Sequence, residues 1–466
     1  MRGLLFCLIA SVALSANSQN FGNPLATTVQ LPTFGVSFDA DGVLEVKAFE
    51  DPGGVLIQQK LAAARKEMVG NLARPVKNRK VSLVRLEAAL ANQIDRGAEP
   101  TEAMLCLAGM TRITSVFCYP DKNDIVISGP AEPWLRDLGG NPVGLVSGRP
   151  VLRLEDLVVA LRAFKPANDE GEKKPVFVGC TINPRAESLA KLVEFQKQIP
   201  RSISDRDRGR VGKWIAEGVR DSLGMADVVV FGIDPRTNFA RVMIEADYRM
   251  KRIAVGVESP PIKMTTFAEA LTSARNGALE RWWFTPKYDG IVATPDRLAM
   301  KIDGQGVQLQ TENKEILATG VIVDSGRAPT RAARVYASNF TKSYAKISEA
   351  AQVYGQLRQL TDFLIAAAFM RKNDWYKLSN WQADRFTNEA FFTVNTMNNP
   401  NEAPAVVNAF WKQRRFFSPA GGGVSIEAEK ALESLEEDTS LNQLRKETRP
   451  EANDDTPSVD STLRLA

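Results

Sequence analysis

Val176-Phe-Val-Gly-Cys-Thr-Ile-Asn-Pro184 is an apolar, β-branched run closed by a turn dipeptide, and Val228-Val-Val-Phe-Gly-Ile-Asp-Pro235 repeats the arrangement further along the chain. The spacing predicts strands over 176–182 and 228–233, each stopped where an Asn-Pro or Asp-Pro pair favours a turn. Between them, Ala186–Gln198 and Asp205–Leu223 carry apolar residues at helical spacing. Past Asp234-Pro235, the stretch Ala240–Ala246 reads as another strand. Two strands separated by two helices, followed by a strand directly after a strand, is not the alternation that builds a doubly wound sheet. The expected fold class is therefore α+β, with mixed, mostly antiparallel sheets and interleaved helices.

The flanking sequence fits this class. Gly35–Lys47 alternates around Asp41-Gly42 as a β-hairpin, and Val55–Met68 reads as a helix. Ser82 and Thr101 are placed to cap helices, the first with Leu83, Leu86, Leu90 and Ile94 on one face. Ile113–Tyr119 and Ile125–Ser128 read as strands and Leu154–Phe164 as an amphipathic helix. Trp282–Thr311 reads as strands, the segment at about 332–371 is helix-rich, and Phe391–Asn395 and Gly423–Ile426 are expected to form a late strand pair. The polar, proline-bounded stretch 165–175 marks either a subdivision of the chain or a surface loop.

Of the 466 residues, 44% are apolar and 24% are charged, enough apolar material for a core without disulfides. There is no histidine, which excludes Ser-His and Cys-His catalysis, HExxH metalloprotease sites and His-ligated haem. Proton transfer would fall to Asp, Glu, Lys, Tyr or Cys. Met1-Arg2, the apolar run Gly3–Ala16 and polar Asn17–Asn20 have the anatomy of a secretory signal peptide, and the run is too short to span a bilayer. The expected organisation is a signal peptide at 1–18, one long domain at 19–425 and an acidic, largely disordered tail at 426–466. The expected location is periplasmic, envelope-associated or extracellular. Of the cysteines left, Cys106 and Cys118 are the plausible bridge in an oxidising compartment; the alternative is that they and Cys180 are small buried hydrophobes.

The formal charge is +4 overall, but 426–466 carries 11 acidic against 5 basic residues, so the preceding body is basic. Arg74, Lys77, Arg79 and Lys80 fall in one short stretch. For an exported protein they point to anionic envelope polymers or lipid headgroups and not to nucleic acid, unless they form a solvated face. Trp283 in Arg281-Trp-Trp-Phe284 is the residue expected to face outward and offer an aromatic surface, with Trp282 and Phe284 turned inward. Glu245 and Asp247 would share one face of a strand beside Asp234, a carboxylate cluster able to run hydrolysis without histidine. The alternative is an Asx-turn at Asp234, a helix cap at Asp247 and an ion pair from Glu245 to Arg241 or Arg249. Ser343-Tyr-Ala-Lys346 has S-x-x-K spacing without the partner motifs of penicillin-recognising enzymes. No calcium-loop or phosphate-loop pattern is present, so no metal and no cofactor are expected.

Several phrases occur together: Gly35–Leu44, Asp124–Trp134, Gly148–Leu152, Ile244–Lys251, Arg281–Pro286, Gly304–Val307 and Gly421–Ile426. The set resembles a family of exported planctomycete bacterial proteins of unknown function, over about residues 33–426. The resemblance implies export and one long domain; it carries no activity or catalytic residues. Two expectations follow: a non-catalytic, envelope-associated binding or structural protein, or an exported hydrolase of glycan or peptide built on the carboxylate cluster.

Overall fold

The computed structural model describes residues 34–38, 44–48, 70–166, 176–200, 206–272, 278–316, 322–324, 328–412 and 414–450, with Gln59, Ala62 and Ser204 besides. The expected signal peptide, most of the helix expected at 55–68, the stretch 167–175 and the end of the tail lie outside them.

Strands β1 (Phe34–Phe38) and β2 (Leu44–Ala48) form the expected antiparallel hairpin. Strand β3 (Val76–Ser82) runs into α1 (Leu83–Asp95), where the Ser82 hydroxyl accepts the Arg85 amide; Thr101 caps α2 (Glu102–Leu105) in the same way. Next come β4 (Ser115–Tyr119), β5 (Asp124–Ala131), β6 (Trp134–Arg136), β7 (Pro142–Gly144) and α3 (Leu154–Ala163). The quoted stretch gives β8 (Val178–Pro184), α4 (Ala186–Gln198), α5 (Arg208–Leu223), β9 (Met225–Phe231) and then α6 (Asn238–Ala254). After α7 (Phe267–Ala270) come β10 (Ala278–Lys287), β11 (Gly290–Ala293), β12 (Ala299–Asp303), β13 (Gly306–Ile316) and β14 (Ile322–Asp324). Helices α8 (Arg331–Lys342), α9 (Tyr344–Ala350), α10 (Gln352–Lys372), α11 (Trp375–Leu378) and α12 (Asp384–Thr387) follow. The chain ends in β15 (Glu402–Pro404), β16 (Val407–Lys412), β17 (Arg414–Ile426), α13 (Ala428–Ala431), β18 (Glu436–Glu437) and α14 (Leu441–Thr448).

Among the described residues the larger sheet has the order β14-β13-β10-β17-β8-β9-β15, with β16 added to β17. A second sheet has the order β18-β11-β12-β4-β5-β3. Their pairings are antiparallel except β10 with β17 and β11 with β18. This is the α+β architecture expected from the sequence. The central strand β17 squeezes between β10 and β8 because it carries glycine there. Gly422 has φ of +118°, and a Cβ on it would fall on the Trp282 carbonyl.

Helix α10 holds the layers together. Almost every residue from Val353 to Arg371 is buried; Phe363–Met370 is apolar on all sides, and the first half buries Gln359 and Asp362 on polar partners. It packs on α3, α6, α9, α13 and β13. Beside it, Trp282 and Phe284 point inward from β10 as the alternation predicts. Trp282 meets Tyr336 edge-on at 5.5 Å between ring centroids, and Phe284 meets Phe340 at 5.5 Å. One apolar cluster runs from Val81 to Leu432, including residues on both sides of 165–175. No helix among the described residues is long and apolar enough to cross a membrane.

Three expectations are corrected, and of the two readings left open for the cysteines one is selected. Residues 240–246 are helical: the Thr237 hydroxyl caps the Ala240 amide, and Phe239, Val242, Met243, Ala246 and Met250 bury one face at helical spacing. Phe391–Asn395 is not a strand; Gly423–Ile426 pairs antiparallel with Val178–Thr181 of β8 instead, and β16 pairs with the earlier part of β17. The tail from 426 to 450 is ordered on the body. Leu441 is buried against Phe117, Tyr119, Val126 and Ala299, and β18 extends a sheet. Cys106, Cys118 and Cys180 are free and buried, so Cys106 and Cys118 form no bridge. Cys106 packs with Trp134 and Val151, whereas Cys118 sits on β4 in the main core. Burial pushes both thiols up to about 12, which leaves them unreactive.

Candidate functional site

The three carboxylates singled out in the sequence do not assemble. On α6, positions two apart lie about 200° around the helix, so Glu245 and Asp247 face different ways. Glu245 is buried between Arg241 at 3.3 Å and Arg249 at 3.5 Å, and Arg249 continues to Glu258 at 2.8 Å. Burial pushes the Glu245 carboxyl up against the pull of the two guanidinium groups. Asp247 takes Lys251 at 2.6 Å, and both are buried. The Lys251 ammonium also donates to the Ile182 carbonyl at 2.7 Å and the Gly422 carbonyl at 3.1 Å, fastening α6 to β8 and β17. Asp247 is therefore a buried clamp and not a helix cap. Asp234 accepts the Arg236 amide in an Asx-turn and holds its guanidinium at 2.7 Å; that hydrogen bond keeps the Asp234 carboxyl below its ordinary range. Neither a paired acid and base nor a shared water position arises from these groups.

The basic stretch divides. Arg79 is buried and donates to the carbonyls of Asn71 and Arg74, and Lys80 donates to the Glu447 carbonyl at 2.6 Å. Arg74 and Lys77 stay exposed. Trp283 turns away from the core, as expected, but is half-buried: its ring lies over Gly423 and under the Arg281 guanidinium, 4.9 Å from the centroid. Its indole N–H has no partner among the described residues. Ser343 immediately precedes α9 and Lys346 lies in its first turn.

A pocket of about 500 Å³ lies elsewhere, where the loop from β9 to α6 meets the end of α3 and the segment after α12. Its apolar surface comes from Val159, Ala163, Ile233 and Val394. Its polar groups are Arg162, Asp234, Arg236, Glu389 and threonine hydroxyls. The size is in the usual range for a small-molecule site, ~300–1,000 Å³. Of the residues picked from the sequence, only Asp234 lines it.

Arg162 is the organising residue. It closes α3, and its Nε and Nη2 donate to the carbonyls of Phe386 and Phe392 at 2.9 and 2.6 Å. These bonds fix the guanidinium and tie down the third wall. Nη1 faces Glu389 at 3.6 Å, an ion pair too long to be a hydrogen bond. Burial lowers the pKa of Arg162, and Glu389 only partly offsets it. Sequence reading missed Arg162 because it looks like an ordinary helix-end cation. Its partners lie more than two hundred residues away, and nothing local announces them. Among the described residues no group of three or more His, Cys, Asp or Glu side chains is placed to hold a metal ion.

Residues 180–267 match the model of a family described as a protein of unknown function, DUF1598. The match runs from β8 into α7 and includes the Gly232–Thr237 wall of the pocket. No curated protein and no solved structure matches the chain.

Proposed function

We propose that the chain is an exported, non-catalytic binding protein of the cell envelope. It holds acidic groups of envelope polymers or lipid headgroups. The observation that carries this reading is the preformed pocket with a fixed guanidinium, in a molecule whose candidate catalytic carboxylates are all taken up by ion pairs. The apolar run at 3–16, the resemblance to exported planctomycete proteins and the exposed cations Arg74 and Lys77 support it. The carboxylate hydrolase is not carried forward, because its residues do not converge.

The test is co-sedimentation of the protein with purified planctomycete envelopes at low and then high salt. Pelleting at low salt that high salt reverses is expected, weakened by Arg74→Glu with Lys77→Glu. Protein left in the supernatant at both salts overturns the reading.

A further inference from the structure

The pocket is built around a cation whose counter-charge is loosely held. Arg162 is mostly shielded, with 17% of its side chain exposed, and cannot turn away because two carbonyls hold it. Among the described residues its one anionic partner is Glu389, which is 75% exposed, and no hydrogen bond joins the two. By contrast Arg236, at the rim, is satisfied by both oxygens of Asp234, at 3.1 and 2.7 Å. The pocket thus contains one tightly neutralised pair and one guanidinium nitrogen covered only by a displaceable side chain. Apolar surface from Val159, Ala163, Ile233 and Val394 lines the same pocket.

We propose that this pocket binds an amphiphilic anion, a carboxylate or phosphate monoester on a short apolar chain. Its acid group replaces Glu389 at Arg162 Nη1, and its chain covers the apolar surface. A charge-assisted hydrogen bond to a fixed, partly buried guanidinium is stronger than the exposed ion pair it displaces. The displaced Glu389 carboxylate returns to water at little cost because it is already largely there. This inference rests on reading the pocket as a binding site and names the chemistry it selects.

Isothermal titration of the full chain with octanoate, octyl phosphate, octanol and octylamine tests it. The two anions are expected to bind and the alcohol and amine are not. Glu389→Gln is expected to tighten octanoate about two- to fivefold, the equivalent of one partly exposed ion pair. Glu389 is a surface residue, so this variant folds, and a gain in affinity is an outcome that a merely structural role does not produce. Ala390→Trp, at an exposed lining position, is expected to abolish binding. A parallel arm uses phosphatidylcholine vesicles with and without phosphatidate. Phosphatidate-dependent binding lost in Ala390→Trp assigns the acid to a headgroup, and octanoate binding without vesicle binding assigns it to a free acid. Equal binding of octanol, no binding of either anion, or unchanged or weaker binding in Glu389→Gln overturns the proposal. Envelope pelleting that persists while these titrations fail removes the ligand class and leaves the binding role standing; loss of pelleting alone does the reverse.

Discussion

Lys251 is a costly side chain to place. Its ammonium is almost completely shielded from water and survives because Asp247 and two strand carbonyls receive its three N–H groups. Removing one partner leaves a buried charge alone. Lys251→Met is expected to lose about 3–5 kcal/mol in urea unfolding at neutral pH, and the double variant with Asp247→Leu to regain much of it. An unchanged midpoint in the single variant would show that the pair contributes nothing. The pair also shapes the acid side of the stability curve. Burial pushes the Asp247 carboxyl up to about 6, from 3.8. Between those values the folded chain holds a proton that the unfolded chain has released. That stability is complete below the lower value and is lost as pH rises through about 6. The native chain is expected to lose stability from pH 4 to 6 relative to the double variant, which lacks the group.

At the scale of the element, β17 depends on its glycines. An alanine at Gly422 would need a strained backbone and would drive its Cβ into the Trp282 carbonyl. Gly422→Ala is expected to cost more than about 3 kcal/mol or to prevent folding. A melting temperature within a degree or two of the native chain would contradict the packing described. Elements like this also show what could be read from sequence. Ser82, Thr101, the 176–182 strand and the Trp282/Phe284 alternation were legible because each is set by neighbours a few residues away. Residues 240–246 misled because Val242-Met-Ile244 is a short apolar run with two β-branched residues, which fits a buried strand as well as a helix. The deciding signals are the Thr237 cap and the apolar spacing carried on to Met250 and Ile253. The pocket was legible only at Asp234. Arg162 acquires its role from carbonyls brought to it by the tertiary fold.

At the scale of the whole molecule, the tail behaves as a strap. Tyr119 donates to the Arg445 carbonyl at 2.7 Å, the Arg445 guanidinium stacks on the Tyr119 ring and reaches Asp296 at 3.1 Å, and Lys80 donates to the Glu447 carbonyl. Acidic composition suggested a solvated segment, but buried Leu432 and Leu441 and these side-chain links dock residues 426–450 on the body. Deleting residues 439–466 removes Leu441 from the face formed by Phe117, Tyr119 and Val126. The truncated chain is expected to lose about 2–4 kcal/mol and to associate at high concentration in size-exclusion chromatography. An unaltered melting temperature would mean that the strap rests on the surface without stabilising it.

The middle position of β17 has a consequence in time. The strand that joins β10 to β8 is made after nearly nine-tenths of the chain. Until it emerges from the ribosome, the larger sheet is two separate pieces with bare inner edges, and closing it requires contacts between residues far apart in sequence, which form slowly. The order of synthesis therefore separates the making of the sheet's two halves from their joining, which waits for almost the last strand of the chain.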